Sequence, residues 1–343
     1  MHIKSSHSVK AAPAQFVGQK STTSVTAPGE TSATRIFWKH SLLFVLIGLL
    51  LYLGLYLVAE QLTYQNTVRN RFFAIKTAPH AQYDYVILGA SHAVVFDYDD
   101  MNAHLEEETG ARILNLSTLG GGVTVNRLLL DYFLAEHQTK NVVYFIDSFA
   151  FYSPEWNEER VQDVQLLQRA PFDPALAWLL IKTLETRPVA PGYLLGFYQI
   201  NNPDRFKSDI SEEEATRFDK TYRPVKQIDQ RRLAYLYPEQ VDQTTFQRYL
   251  TEFETMVREL HEQDINVIVI KAPLPERVYQ MLPAEQQFDE AVKNVLRPYE
   301  ASFHDFSLVS NDEEFFFNTD HLNRTGVEKF CESYLKSVLV LNQ

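Results

Sequence analysis

Ser91 and His321 are two side chains whose types and positions could together carry covalent chemistry in this 343-residue chain. A serine hydroxyl becomes a nucleophile when an imidazole within about 3 Å takes its proton and N–H donors meet the developing oxyanion. Ser91 leaves the apolar run Tyr85-Val86-Ile87-Leu88, which Gly89 stops, as expected of a buried strand. His321 lies 230 residues later in Asn318-Thr319-Asp320-His321-Leu322-Asn323. A third stretch, Gly120-Gly121-Gly122, follows another short apolar run. Glycines between a strand and a helix free backbone N–H groups to donate. A phosphate loop is the alternative use of a glycine run, but no lysine follows as in a P-loop and no GxGxxG is present. Singly, a turn serine bonds its own backbone and a loop histidine idles in water. Acyl transfer requires all three together.

The elements that must position them alternate in type. Strands are expected at 85–88, 112–116, 141–146, 266–270 and 302–306, with helices at 97–108, around 125–133, from about 246 to near 263, at 285–299 and at 325–341. Short links between strand and helix call for parallel pairing with right-handed crossovers. The fold expected is α/β, a flavodoxin-like three-layer αβα sandwich. In such a sheet the ends of strands one and two and the loop before the last helix open on one edge, so Ser91, the glycines and His321 can converge. Asp97, Asp99 and Asp100 at the start of the first helix read as carboxylates meeting the macrodipole, with a cation site as the other reading. The alternation breaks at about 149–243, where eight prolines interrupt helical pieces. That mainly helical insertion reads as a cap over the Ser91 edge or as a second small domain. Its aromatics Trp156, Trp178, Tyr193, Phe197 and Tyr198 suit a sugar- or acyl-facing surface, or simply core.

Residues 41–59 run without a charge, and within 36–62 only Lys39 and Glu60 are charged. About 20 apolar residues rising about 1.5 Å each cross a hydrocarbon core of about 30 Å, so 36–62 reads as a transmembrane helix. Trp38, Tyr52, Tyr56 and Tyr64 suit interfacial anchoring. A cleaved signal peptide fits worse, because the leader and apolar core are too long and no small-x-small site follows. Residues 1–34 are polar and read as a disordered tail, and 63–80 as a membrane-proximal connector. Residues 1–40 hold five basic residues against Glu30 alone, in a chain whose net charge is −12. That asymmetry places the N-terminus in the cytoplasm and the large domain outside. The acidic balance argues against nucleic-acid binding. One cysteine, Cys331, excludes an intrachain disulfide and a thiolate metal cluster.

Gly89-Ala90-Ser91 after the first strand, Gly120 after the second and the His321 loop before the last helix resemble the SGNH (GDSL-type) hydrolase superfamily. The resemblance covers residues 81–148 and 264–343 and leaves the insertion outside. With an N-terminal anchor it is similar to the membrane-anchored branch that includes the D-alanine-transfer protein DltD and the alginate O-acetylation proteins. It implies a serine esterase or O-acyltransferase without metal or cofactor, acting on a cell-envelope polysaccharide or polymer, with a membrane protein as acyl donor. Ser91 would be the nucleophile and His321 the base, with the N–H groups of Ser91, Gly120 and Gly121 forming the oxyanion hole. Two positions depart from the pattern. Asn318 stands where the family's acid belongs, leaving Asp320 as the nearby carboxylate, and Asp147-Ser148-Phe149 lacks the third block's asparagine. Other readings are a catalytically weak binding or assembly protein and a transmembrane sensor. An α/β-hydrolase elbow fits less well, since Gly89-Ala90-Ser91-His92-Ala93 lacks its second glycine. His92, directed elsewhere by a tight turn, is expected to have no catalytic role.

Overall fold

The computed structural model describes residues 32–67, 69–207, 210–310 and 312–341. The tail expected at 1–34 lies outside them except for its last three residues, which are helical. Two units divide the chain, one ending at Tyr52 and one beginning at Leu53. A 35-residue helix, Ser32–Asn66, is apolar and long enough to cross a membrane, and 6 % of its most apolar window is buried. It starts and ends about four residues beyond the sequence expectation, because nothing in Thr63-Tyr64-Gln65-Asn66 breaks a helix.

In the second unit five strands form one parallel sheet: β1 (Gln82–Gly89), β2 (Ile113–Asn115), β3 (Gln138–Phe145), β4 (Asn266–Lys271) and β5 (Ser302–Asp305), in the order β2-β1-β3-β4-β5. This is the flavodoxin-like order, and it reverses direction between β1 and β3, where such sheets place their ligands. Alternation along the strands builds the layers. Val86, Leu88, Val142, Tyr144 and Val269 face one core, shared with the helices Val123–Glu136, Gln243–His261 and Glu285–Leu296. Tyr85, Ile87, Val143, Phe145, Ile268 and Ile270 face the other, covered by Met101–Thr109 and by the last helical stretch, Arg324–Leu341. Period-two side chains on a parallel sheet thus give both faces a buried layer.

β1 and β3 stay in register to their last residues, Leu88 with Tyr144 and Gly89 with Phe145. A Cβ on Gly89 would lie 2.7 Å from the Phe145 carbonyl oxygen, and its φ is +143°. Only glycine lets the chain leave the sheet so close to its neighbour. Between residues 148 and 236 there are short helices and turns, among them Pro174–Lys182 and Lys226–Leu236.

The acidic turn differs from expectation. Asp97 pairs with Arg71 at 2.7 Å and Asp99 with Arg324. Asp100 takes a left-handed conformation ahead of Met101–Thr109 and makes no capping bond. Basic partners from distant segments, invisible in local sequence, claim two of these carboxylates.

Candidate active site

Ser91 opens the short helix Ser91–Val94 directly after β1 and is 6 % exposed. His321 sits in a tight hairpin formed by the Phe316–Leu322 bridge and the bond from Phe317 N–H to the His321 carbonyl at 3.0 Å. The strand ends bring both to one cavity of about 460 Å³, lined also by Gly120, Trp156, Glu214 and Arg232. Gly120 has φ +64°, and a Cβ there would come within 3.0 Å of the Trp156 ring. The Gly121 N–H donates to the Thr118 carbonyl at 2.8 Å, so it is already engaged; the expected donor set narrows to Ser91 and Gly120. Ser148 is turned away, donating to Glu285 at 2.6 Å. Two buried asparagines nearby are spent on backbone. Asn126 holds Gly89 and Gly122, and Asn157 holds Thr124 and Ala150.

Asn318 determines which nitrogen of His321 carries a proton. Its Oδ1 accepts from the backbone N–H groups of Asp320 (3.1 Å) and His321 (2.8 Å), which fixes the amide's orientation. Nδ2 then donates to His321 Nδ1 at 2.7 Å. In the neutral ring the proton therefore resides on Nε2, which finds no hydrogen-bond partner. Burial works against a charge on this ring, and Arg232 and His92 add to that effect, so its pKa falls to about 3. The ring facing the Ser91 cavity is thus neutral, with its cavity-side nitrogen already protonated.

Asp320 is fully buried and accepts from Arg232 Nε at 2.9 Å. Burial alone would raise its pKa, but Arg232, His321 and His92 hold it well below the carboxylate range. Its Oδ1 lies 3.7 Å from His321 Nδ1, beyond hydrogen-bond reach, as adjacent diverging side chains dictate.

The residue that the sequence undervalued is His92. Its Nδ1 meets Asp147 Oδ1 at 2.6 Å, its Nε2 lies 3.8 Å from Asp320, and its ring centroid is 5.1 Å from that of His321. Burial disfavours the charged form, yet Asp147 and then Asp320 raise its pKa above the ordinary imidazole value. Position 147, which lacks the third-block asparagine, instead anchors this ring. Arg232, from the inserted helix, was likewise illegible, since an arginine in Gln230-Arg231-Arg232 carries no positional signal.

His92, Asp320 and His321 place ligand-type atoms within 4.8 Å of one another. Arg232 already neutralises the carboxylate and sets a like charge against any cation. The group therefore fits a proton and charge network better than a metal centre.

Fold and cavity together define an α/β protein with a serine and a histidine at the carboxyl edge of a five-stranded parallel sheet. No protein-family model matches the sequence, and no curated protein matches it. Among solved structures, a Bacteroides fragilis chain provisionally assigned as an acylhydrolase is similar, with TM-score 0.38 and 8 % identity over 78 % of this chain and 90 % of that one.

Proposed function

We propose that the chain is a membrane-anchored, extracytoplasmic serine O-acyltransferase or esterase acting on a cell-envelope glycan or polymer, supplied with acyl groups by a membrane donor. The observation that supports this reading best is the shared cavity of Ser91, Gly120 and His321. In the reaction Ser91 Oγ bonds to the acyl carbon and its proton passes to His321 Nε2, while the oxyanion meets the N–H groups of Ser91 and Gly120. The donor's acyl C–O bond breaks, and the leaving oxygen takes the proton back. A hydroxyl of the polymer, or water, then attacks the acyl-serine and restores it. This cycle requires Nε2 to be unprotonated, whereas the Asn318 bond stores the proton there. Apo sites tighten on substrate, so the missing Ser91–His321 bond does not exclude the cycle.

Anchoring is supported by a second surface. Glu60 accepts from the Phe172 N–H at 2.9 Å, and the Tyr56 ring covers Gly196 so closely that a Cβ would fall 2.1 Å from it. In the same segment Trp178 (64 %), Leu184 (68 %), Leu195 (64 %) and Phe197 (52 %) are exposed. Exposed large apolar groups in the segment that contacts the end of an apolar helix suit a lipid interface.

A fluorophosphonate probe tests the chemistry. It should label the wild type and not Ser91→Ala; no labelling where a control esterase reacts would remove the enzyme. The Asn318–His321 bond favours one second reading, a weakly catalytic binding or assembly protein of envelope modification. A Ser91→Ala strain with normal envelope acylation would select that reading.

A further inference from the structure

We infer that His92 is a positioning residue: its charged ring clamps the hairpin that carries His321 to the end of β1 that carries Ser91, and the clamp opens when the ring loses its proton. His92 acts on catalysis only if Ser91 and His321 carry out the acyl chemistry proposed above, whereas the clamp is a property of the fold. The hairpin is held from several sides. From the insertion, the Tyr222 N–H donates to the Phe316 carbonyl at 2.7 Å and Arg232 donates to Asp320 at 2.9 Å. Arg277, which follows β4, donates to the Thr319 carbonyl at 3.4 Å. Among the described residues, the polar contact between the hairpin and the ends of β1 and β3 is the one that His92 makes.

The two ring protons differ in fate. Nδ1 lies 2.6 Å from Asp147 Oδ1, and a carboxylate only accepts, so this nitrogen keeps its proton in both charge states. The proton that comes and goes is therefore the one on Nε2, 3.8 Å from Asp320 Oδ2. That spacing is too long for a hydrogen bond, so the attraction is one of charge. In the neutral ring a lone pair takes the place of the N–H, and nitrogen and carboxylate repel. His92 is 6 % exposed and Asp320 2 %, so solvent and salt screen this change of sign poorly. Asp320 precedes His321 directly, and a push on its carboxylate moves the hairpin that holds the base.

The other charges around the ring keep their state while it titrates. Arg232, from the insertion, opposes a charge on it. Lys271 and Glu285 line a small cavity with His92 and Asp147, but Lys271 is bound by Glu285 at 2.6 Å and by Asp289 at 2.7 Å. His321 is neutral above its pKa of about 3. Burial disfavours the charged ring, and Asp147, then Asp320, outweigh it, so His92 titrates above the ordinary imidazole range.

The test takes the full-length chain in detergent micelles from about pH 6 to about pH 9, across the imidazole range. Hydrogen exchange, corrected for the intrinsic rate, reads the hairpin through the amides of Phe317, Asp320, His321 and Asn323, all of them hydrogen-bonded. Their protection should fall about tenfold as pH rises, while that of the helix Gln243–His261 holds. Fluorophosphonate labelling of Ser91 should fall about tenfold over the same interval. Asp147→Asn should move both transitions to lower pH, and His92→Gln should leave low protection with no transition. Without a clamp, loss of the His92 charge would only make His321 a stronger base, and labelling would speed up as pH rises. That result overturns the clamp, as does hairpin protection that is flat in the wild type or a transition that survives in His92→Gln. Absence of labelling at every pH removes the acyl chemistry alone; the hairpin amides then decide the clamp, supporting it by a pH-dependent loss that His92→Gln abolishes and overturning it otherwise.

Discussion

At the scale of single residues, the proposed acyl chemistry turns on one amide. For His321 Nε2 to accept the Ser91 proton, the ring proton must move to Nδ1, where it meets the Asn318 NH2 group. Relieving that clash by turning the amide forfeits the bonds to the backbone of Asp320 and His321. Leaving such groups unpaired costs about 1–3 kcal/mol, roughly 5- to 150-fold in rate. Asn318→Asp keeps an acceptor for both backbone N–H groups and gives the ring an acceptor at Nδ1. Fluorophosphonate labelling of Ser91 should therefore speed up by about ten- to a hundredfold. An unchanged or slower rate would show that the amide is not what limits the site. The same burial makes a stability statement. His321 has a folded pKa of about 3, below the unfolded value of about 6.5. Its stabilising contribution is complete above about pH 6.5 and is lost as pH falls toward 3. Thermal melts of His321→Gln should accordingly be less acid-sensitive than those of the wild type.

At the scale of elements, the edge where β1 and β3 end was legible and the network behind it was not. Apolar runs of strand length, separated by helix-length segments, dictate a parallel sheet, and parallel strands bring Ser91, Gly120 and His321 to one rim. Side-chain direction within a tight turn has no periodicity, so nothing in Ser91-His92 announced that the ring would reach Asp147 at the end of β3. That pair ties the two strand ends together. Its pH dependence runs opposite to that of His321. His92 gains proton affinity on folding, so its contribution is complete below about pH 6.5 and is lost as pH rises through the higher folded pKa. His92→Gln should flatten the fall in melting temperature on the alkaline side. Gly89 tests the strand crossing itself. Alanine there meets the Phe145 carbonyl at 2.7 Å at a φ that L residues avoid. Gly89→Ala should cost about 1–3 kcal/mol in chemical denaturation; a neutral result would mean that the β1–β3 edge yields easily.

At the scale of the whole molecule, the proposed anchoring raises the question of where a bilayer would end. Leu55, Leu57 and Val58 are exposed on the last apolar turns of the long helix, and the helix then packs on the segment that presents Trp178, Leu184 and Leu195. A soluble surface seldom leaves such groups clustered, since each buried CH₂ is worth about 0.8 kcal/mol. Lys182 and Arg187 lie between them in sequence, as expected where apolar stems enter lipid and charged heads stay at its surface. The check is Trp178 fluorescence in the Trp38→Phe chain, reconstituted in vesicles of brominated phosphatidylcholine. Trp156 is 5 % exposed and serves as the protected reference. Strong quenching that disappears in Trp38→Phe/Trp178→Phe places the segment in the bilayer. Quenching no greater than that of Trp156 alone would leave this apolar face for a protein partner and confine membrane contact to the helix.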